Sequence, residues 1–66
     1  MKLPQRIREL REEKGLKQKE LAKAIGVAAP RISEWETGKG RPVSEDLIAL
    51  AKYFDVSVDY LLGLEE

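Results

Sequence analysis

The residues of this chain offer little to covalent chemistry and a good deal to the binding of a polyanion. Its 66 residues include no cysteine and no histidine, which removes zinc-finger ligand sets and the usual nucleophile–base pairs. The acids occur as chain neighbours, Glu12-Glu13, Glu45-Asp46 and Glu65-Glu66. They fall on expected solvent faces, at a cap and at the terminus, so none should face another across a cleft. Gly38-Lys39-Gly40 lacks the preceding strand and the remaining residues of a nucleotide-phosphate loop. No enzyme activity, metal or cofactor is therefore expected. The charge pattern is more informative. Twelve basic and twelve acidic side chains cancel overall, yet residues 1–41 carry eleven Lys/Arg against six acids, and residues 42–66 carry Lys52 against six acids. The halves stand at +5 and −5. Such a bipolar chain can press its basic half on a polyphosphate and turn its acidic half away.

The elements that must position these charges are short helices. Leu3, Ile7 and Leu10 recur at helical spacing after Met1-Lys2, with Pro4 suited to a first turn, and predict a helix from about Pro4 to Lys14. Arg6, Arg8, Glu9, Arg11, Glu12 and Glu13 fill its other faces, and Gly15 ends it as a left-handed residue. A second helix is predicted over about Lys17 to Ala24, with Leu21, Ala22 and Ile25 on one face. Ala22 stands where the next helix must cross closely. Gly26-Val27-Ala28 is a break too short to wander, and Gly26 supplies the positive φ needed for an abrupt exit. A third helix follows over Ala29 to Glu36, with Pro30 tolerated in its first turn and Ile32 and Trp35 on one face. Two helices joined this tightly cross steeply, which is the geometry of a helix-turn-helix.

Thr37-Gly38-Lys39-Gly40-Arg41-Pro42 is a loop by composition. Ser44 is then the expected N-cap of a fourth helix, with Glu45 and Asp46 in the first turn. Leu47, Ile48, Leu50, Ala51 and Phe54 make it the most buried helix by expectation. Ser57 caps a fifth helix containing Val58, Leu61 and Leu62, and Gly63 stops it. The prediction is one all-α domain of five helices over 1–66, without strands. The longest apolar run, Leu47 to Ala51, is far below the roughly 20 residues of a membrane span. The charged start after Met1 is unlike a secretory leader. A cytoplasmic protein is the expectation, and the lack of cysteine fits it.

Taken in order, Ile7-Arg8-Glu9-Leu10-Arg11, Gly15 to Ala22, Ile25-Gly26-Val27, Ile32 to Gly38 and Phe54 to Leu62 resemble the phage-repressor-like helix-turn-helix regulators of the Cro/C1, or XRE, type. No one piece is specific; their joint order and spacing are. The resemblance implies a compact lambda-repressor-like domain whose third helix lies in the major groove of DNA. By that likeness Ala28, Ala29, Pro30, Arg31 and Glu34 face base edges. Gln18 matches a phosphate clamp, Thr37, Lys39 and Arg41 match a backbone-gripping loop, and Lys17 and Ser33 join the phosphate set. Arg11 and Glu36 match a structural ion pair between the first helix and the end of the third.

This chain departs from many such relatives at Ala28, where Ser or Thr serves as both cap and phosphate contact. Ala29 and Pro30 offer methyl and ring surface without hydrogen bonds. Arg31 is left as the best polar reader, suited to guanine O6/N7 or to a phosphate. Glu34 either accepts from cytosine N4 or pairs with Arg31 one turn away, and the residue types leave both open. Trp35 could stack on a base, but its register with Ile32 points to packing against the first helix.

The function implied is a sequence-specific transcriptional regulator, a repressor by expectation. It would bind an inverted repeat of double-stranded DNA as a homodimer, with half-sites about 34 Å apart. Val58 and Tyr60 at the start of the fifth helix are the candidate dimer contacts, Tyr60 being the better anchor because a partly exposed aromatic suits an interface centre. The alternative is an antitoxin or adaptor on the same fold whose main partner is a protein, which the hydrogen-bond-poor Ala28-Ala29-Pro30 face makes worth testing.

Overall fold

The computed structural model describes residues 2–65; Met1 and Glu66, the second of the terminal acid pair, lie outside them. Among the described residues there are five α-helices and no strand: α1 Leu3–Glu13, α2 Gln18–Ile25, α3 Ala29–Thr37, α4 Ser44–Phe54 and α5 Val58–Leu62. The bounds expected from the sequence are met to within a residue at each end of the first three helices.

Their ends follow from local chemistry. Past the end of α1, Gly15 has φ +69°, and the Leu16 N–H returns to the Arg11 carbonyl at 3.1 Å. Lys17 is the N-cap of α2 rather than its first residue, and its amide donates to the Glu20 carboxylate at 2.7 Å. Thr37 belongs to α3 and not to the loop, because its hydroxyl donates to the Ser33 carbonyl at 3.0 Å and keeps the last turn closed. The cap of α4 also differs from expectation. Val43 is extended at φ −69°, ψ 169°, and its carbonyl accepts the first helical bond from Leu47 at 2.9 Å. Ser44 is therefore the first helical residue, and no side chain caps α4. Ser57 does cap α5, its Oγ accepting from the Tyr60 N–H at 2.9 Å.

Leu3, Ile7, Leu21, Ala22, Ile32, Trp35, Leu50, Ala51, Phe54 and Leu61 form one buried core. Ile32 and Trp35 place α3 in the middle of it, packed on both α1 and α2. Trp35 is 1% exposed in one core with Leu3 and Ile7 of α1, so its indole is a packing group and not a stacking platform. Fully burying an aromatic of this size stabilises by several kcal/mol, and its loss costs about 3–5 kcal/mol. Ile48 departs from expectation: it is 49% exposed, because α4 turns only its Leu50–Ala51–Phe54 side inward.

Candidate nucleic-acid interface

The turn between α2 and α3 is set by Gly26, at φ +79°. That conformation lets the Val27 N–H reach back to the Ala22 carbonyl at 2.9 Å, closing α2 and starting α3 within three residues. Ala22, 2% exposed, gives the crossing helices room to approach; a longer side chain there would push them apart. The angle between the two helices is thus fixed by a backbone conformation and a small side chain.

Ala28 is the N-cap of α3, extended at φ −75°, ψ 142°, with no side-chain cap bond. Of the five residues expected to face bases, Ala28, Pro30, Arg31 and Glu34 are exposed together, while Ala29 is half-buried against the core. The first turn of α3 therefore presents an apolar step beside a guanidinium. Arg31 and Glu34 form no ion pair among the described residues, whose ion pairs are Arg8–Glu12, Arg11–Glu12 and Arg11–Glu36. Glu34 is thus not paired with Arg31 in this structure. Its side chain instead lies along Gly40, where a Cβ would come within 3.6 Å of Glu34 Cβ and 3.7 Å of Oε1.

The turn after α3 is stapled to that helix. Gly38 leaves at φ +79°, and the amides of Lys39 and Gly40 both donate to the Glu34 carbonyl, at 3.0 and 3.3 Å. Lys39 and Arg41 are exposed on this closed turn, so two cations stand on a backbone that has little freedom. The Thr37 hydroxyl is turned to its own helix, and Ser33 is half-buried.

At the start of α2 lies a partly buried polar network. Arg11 grips Glu36 with two bonds, Nε to Oε2 at 2.7 Å and Nη2 to Oε1 at 3.1 Å, and its Nη1 donates to the Leu16 carbonyl at 2.7 Å. The Glu36 side chain is 4% exposed. The hydrogen bond to Glu36 holds the Arg11 pKa above its ordinary value, outweighing burial, which acts in the opposite sense. The expected ion pair between the first and third helices is present. Gln18 joins it by donating from Nε2 to Glu36 Oε1 at 3.2 Å. Gln18 itself is half-buried, beside the exposed Lys17.

The candidate dimer residues sit apart, on α5. Val58 is half-buried and packs partly on the core. Tyr60 is half-buried and has the Arg6 guanidinium 4.0 Å from its ring centroid. Arg6 also donates to the carbonyls of Tyr60, at 2.7 Å, and Glu65, at 3.1 Å. From sequence Arg6 was one of several charges on the outer faces of α1. Its i, i+3 offset from Leu3, into the buried stripe's margin, is the only local hint of an inward role.

The helix-turn-helix family profile matches residues 7–61. The chain is similar to the HTH-type transcriptional activator BcrR of Enterococcus faecalis, 41% identical over 66 residues, 100% of this chain and 32% of BcrR. It is 41% identical over 58 residues to Repressor protein C2 of Salmonella phage P22, 88% of this chain and 27% of that protein. The crystal structure of the P22 c2 repressor with a synthetic operator superposes with a TM-score of 0.86 at 39% identity, covering 89% of each chain. SinR, a master regulator for biofilm formation, in its complex with DNA gives 0.83 at 38% identity, covering 91% of this chain and 97% of that one. The chain spans between about a third and just over half of the length of the first curated relatives it matches. It belongs to the helix-turn-helix family of the phage-repressor, Cro/C1 type.

Proposed function

We propose that this chain is the DNA-binding domain of a transcriptional regulator, a repressor in its main mode. It recognises an inverted-repeat operator as a homodimer, with α3 in the major groove. The observation that carries this reading is the joint exposure of Ala28, Pro30, Arg31 and Glu34 on one face of α3, on a fold that matches the operator-bound P22 c2 repressor along 89% of its length. Groove-facing side chains read sequence, while cations and amides on flanking elements fix the register on phosphates.

In this reading Arg31 donates to guanine O6/N7 or to a phosphate. Ala28 and Pro30 meet thymine methyl groups, Ala29 supports them from its half-buried position, and Glu34 accepts from cytosine N4. Gln18, Lys17, Lys39 and Arg41 grip phosphates, with Ser33 at the edge of that set; Thr37 joins them only by rotating its hydroxyl away from the Ser33 carbonyl. Val58 and Tyr60 form the contact between protomers. With DNA as its partner the protein would work in the cytoplasm; separately, no helix of the described residues is long and apolar enough to cross a membrane.

A protein partner is compatible with the same reading, since SinR, 38% identical to this chain, also has a solved structure as a complex with SinI protein. Nothing favours an antitoxin or adaptor as the main role. Selection of bound duplexes from a random pool tests the proposal. A palindromic consensus is expected, with steep loss of affinity as salt rises. No enrichment over non-specific binding would overturn it.

A further inference from the structure

We infer that Arg6 is the positioning residue that presents Tyr60 for self-association, an inference that rests on the homodimer reading above. Three contacts from two residues grip Tyr60. Its amide N–H donates to Ser57 Oγ at 2.9 Å, its carbonyl accepts from Arg6 Nη1 at 2.7 Å, and its ring carries the Arg6 guanidinium at 4.0 Å. The circuit closes through the segment after α5. Arg6 Nη1 also reaches the Glu65 carbonyl at 3.1 Å, and Ser57 Oγ donates to the Glu65 carboxylate. The carbonyl and ring of Tyr60 are thus fixed by an arginine from the far end of the chain, and its amide by Ser57.

This matters because α5 is only five residues long. A helix of that length has no stability of its own in water, and its C-terminal carbonyls carry the negative end of its dipole. A guanidinium set on one of those carbonyls favours the helix directly. The same cation on the ring face removes rotamer freedom that Tyr60 would otherwise lose when it docks, and pre-ordering an anchor in its bound pose strengthens association. Because Arg6 covers one face, the hydroxyl-bearing edge and the opposite face are what Tyr60 offers to a second copy of the chain.

The test uses the full chain and measures self-association by analytical ultracentrifugation, with binding to a duplex carrying a single half-site alongside. Arg6→Ala is expected to weaken self-association about tenfold, the size of a cation–π contact on a half-buried ring, and to leave single-half-site binding unchanged. Arg6→Lys keeps the cation but cannot hold both carbonyls while stacking, and should fall between. Arg8→Ala, on the open face of α1 where Arg8 meets only Glu12, is the control and should not differ from the parent. Circular dichroism melts set the folded fraction for each comparison; should Arg6→Ala not fold, Arg6→Lys and Arg6→Gln carry the test. If Tyr60→Ala leaves association untouched, or the parent chain never associates, the interface reading falls and the inference with it. If Tyr60→Ala weakens association and folded Arg6→Ala does not, the interface stands and the role given to Arg6 is wrong.

Discussion

Gln18 and Arg11 share one carboxylate oxygen. Gln18 Nε2 lies 3.2 Å and Arg11 Nη2 3.1 Å from Glu36 Oε1, so a residue offered to the solvent at the start of α2 is oriented by a pair that is otherwise inside the protein. The two roles, structural and surface-directed, are separable by mutation. Glu36→Ala leaves the Arg11 guanidinium, its side chain only 12% exposed, with just the Leu16 carbonyl at 2.7 Å and the Glu12 carboxylate at 4.0 Å. Breaking a buried pair in this one-sided way costs about 3–5 kcal/mol, a large share of the stability of a domain this small. Urea unfolding should register that loss. A change below about 1 kcal/mol would show that the pair is not a main support of the fold.

Gln18→Ala should behave in the opposite manner. It removes one neutral hydrogen bond to Glu36 and leaves the Arg11 bonds in place, so unfolding should shift by no more than about 1 kcal/mol. Duplex affinity should fall uniformly across sequences, without a change in which sequence is preferred, as expected of a phosphate contact. Affinities measured on a selected duplex and on a scrambled one decide it. A selective loss on the preferred duplex alone would make Gln18 a base reader.

Arg31→Glu should abolish preference for the selected sequence and lower the slope of log affinity against log salt. Glu34→Gln is the informative companion. Because no ion pair joins the two residues among those described, the thermal midpoint should be unchanged and any effect should appear only in base preference at one position. A fall in stability on Glu34→Gln would show that a pair forms in solution after all.

Much of the fold was legible because glycine and small or apolar residues stand where geometry leaves no alternative. Gly15, Gly26, Gly38 and Gly63 all have positive φ, and each ends a helix whose apolar period is plain in the chain. Trp35 and Ile32 share a face by spacing alone, and that face is the core. Features that depend on tertiary distance were not legible in the residues themselves; the Arg11–Glu36 pair was expected from the family resemblance alone. Asp55 closes α4 at φ +57° in a role usually left to glycine. Val43 displaces Ser44 as a cap because the backbone after Pro42 enters α4 in extended form. Arg6 lies 54 positions from Tyr60 in the chain, and Glu34 could be separated from Arg31 only once the turn carrying Gly40 was in place. The outward residues of α3 were legible as a set, yet the half-burial of Ala29 was not, since it depends on where the core ends.

The first turn of α3 yields the last prediction. Ala28 and Pro30 are exposed side chains that can neither donate nor accept a hydrogen bond, Pro30 has no N–H, and Ala28 makes no cap bond. A base pair placed against such a surface can be told from others only by its own apolar group, which in the major groove is the thymine 5-methyl. Replacing single thymines by deoxyuridine in a selected duplex removes that methyl and keeps every hydrogen-bonding edge. At one or two positions per half-site affinity should then fall about three- to tenfold, the scale of burying one methyl at about 0.8 kcal/mol with some local repacking. Placing 5-methylcytosine where cytosine replaces such a thymine should restore part of the loss, because the methyl returns while the paired edge differs. The duplex series is read by titration at fixed salt. Deoxyuridine at every thymine without effect would mean that these side chains only leave space, with discrimination resting on Arg31 and on the shape of the duplex.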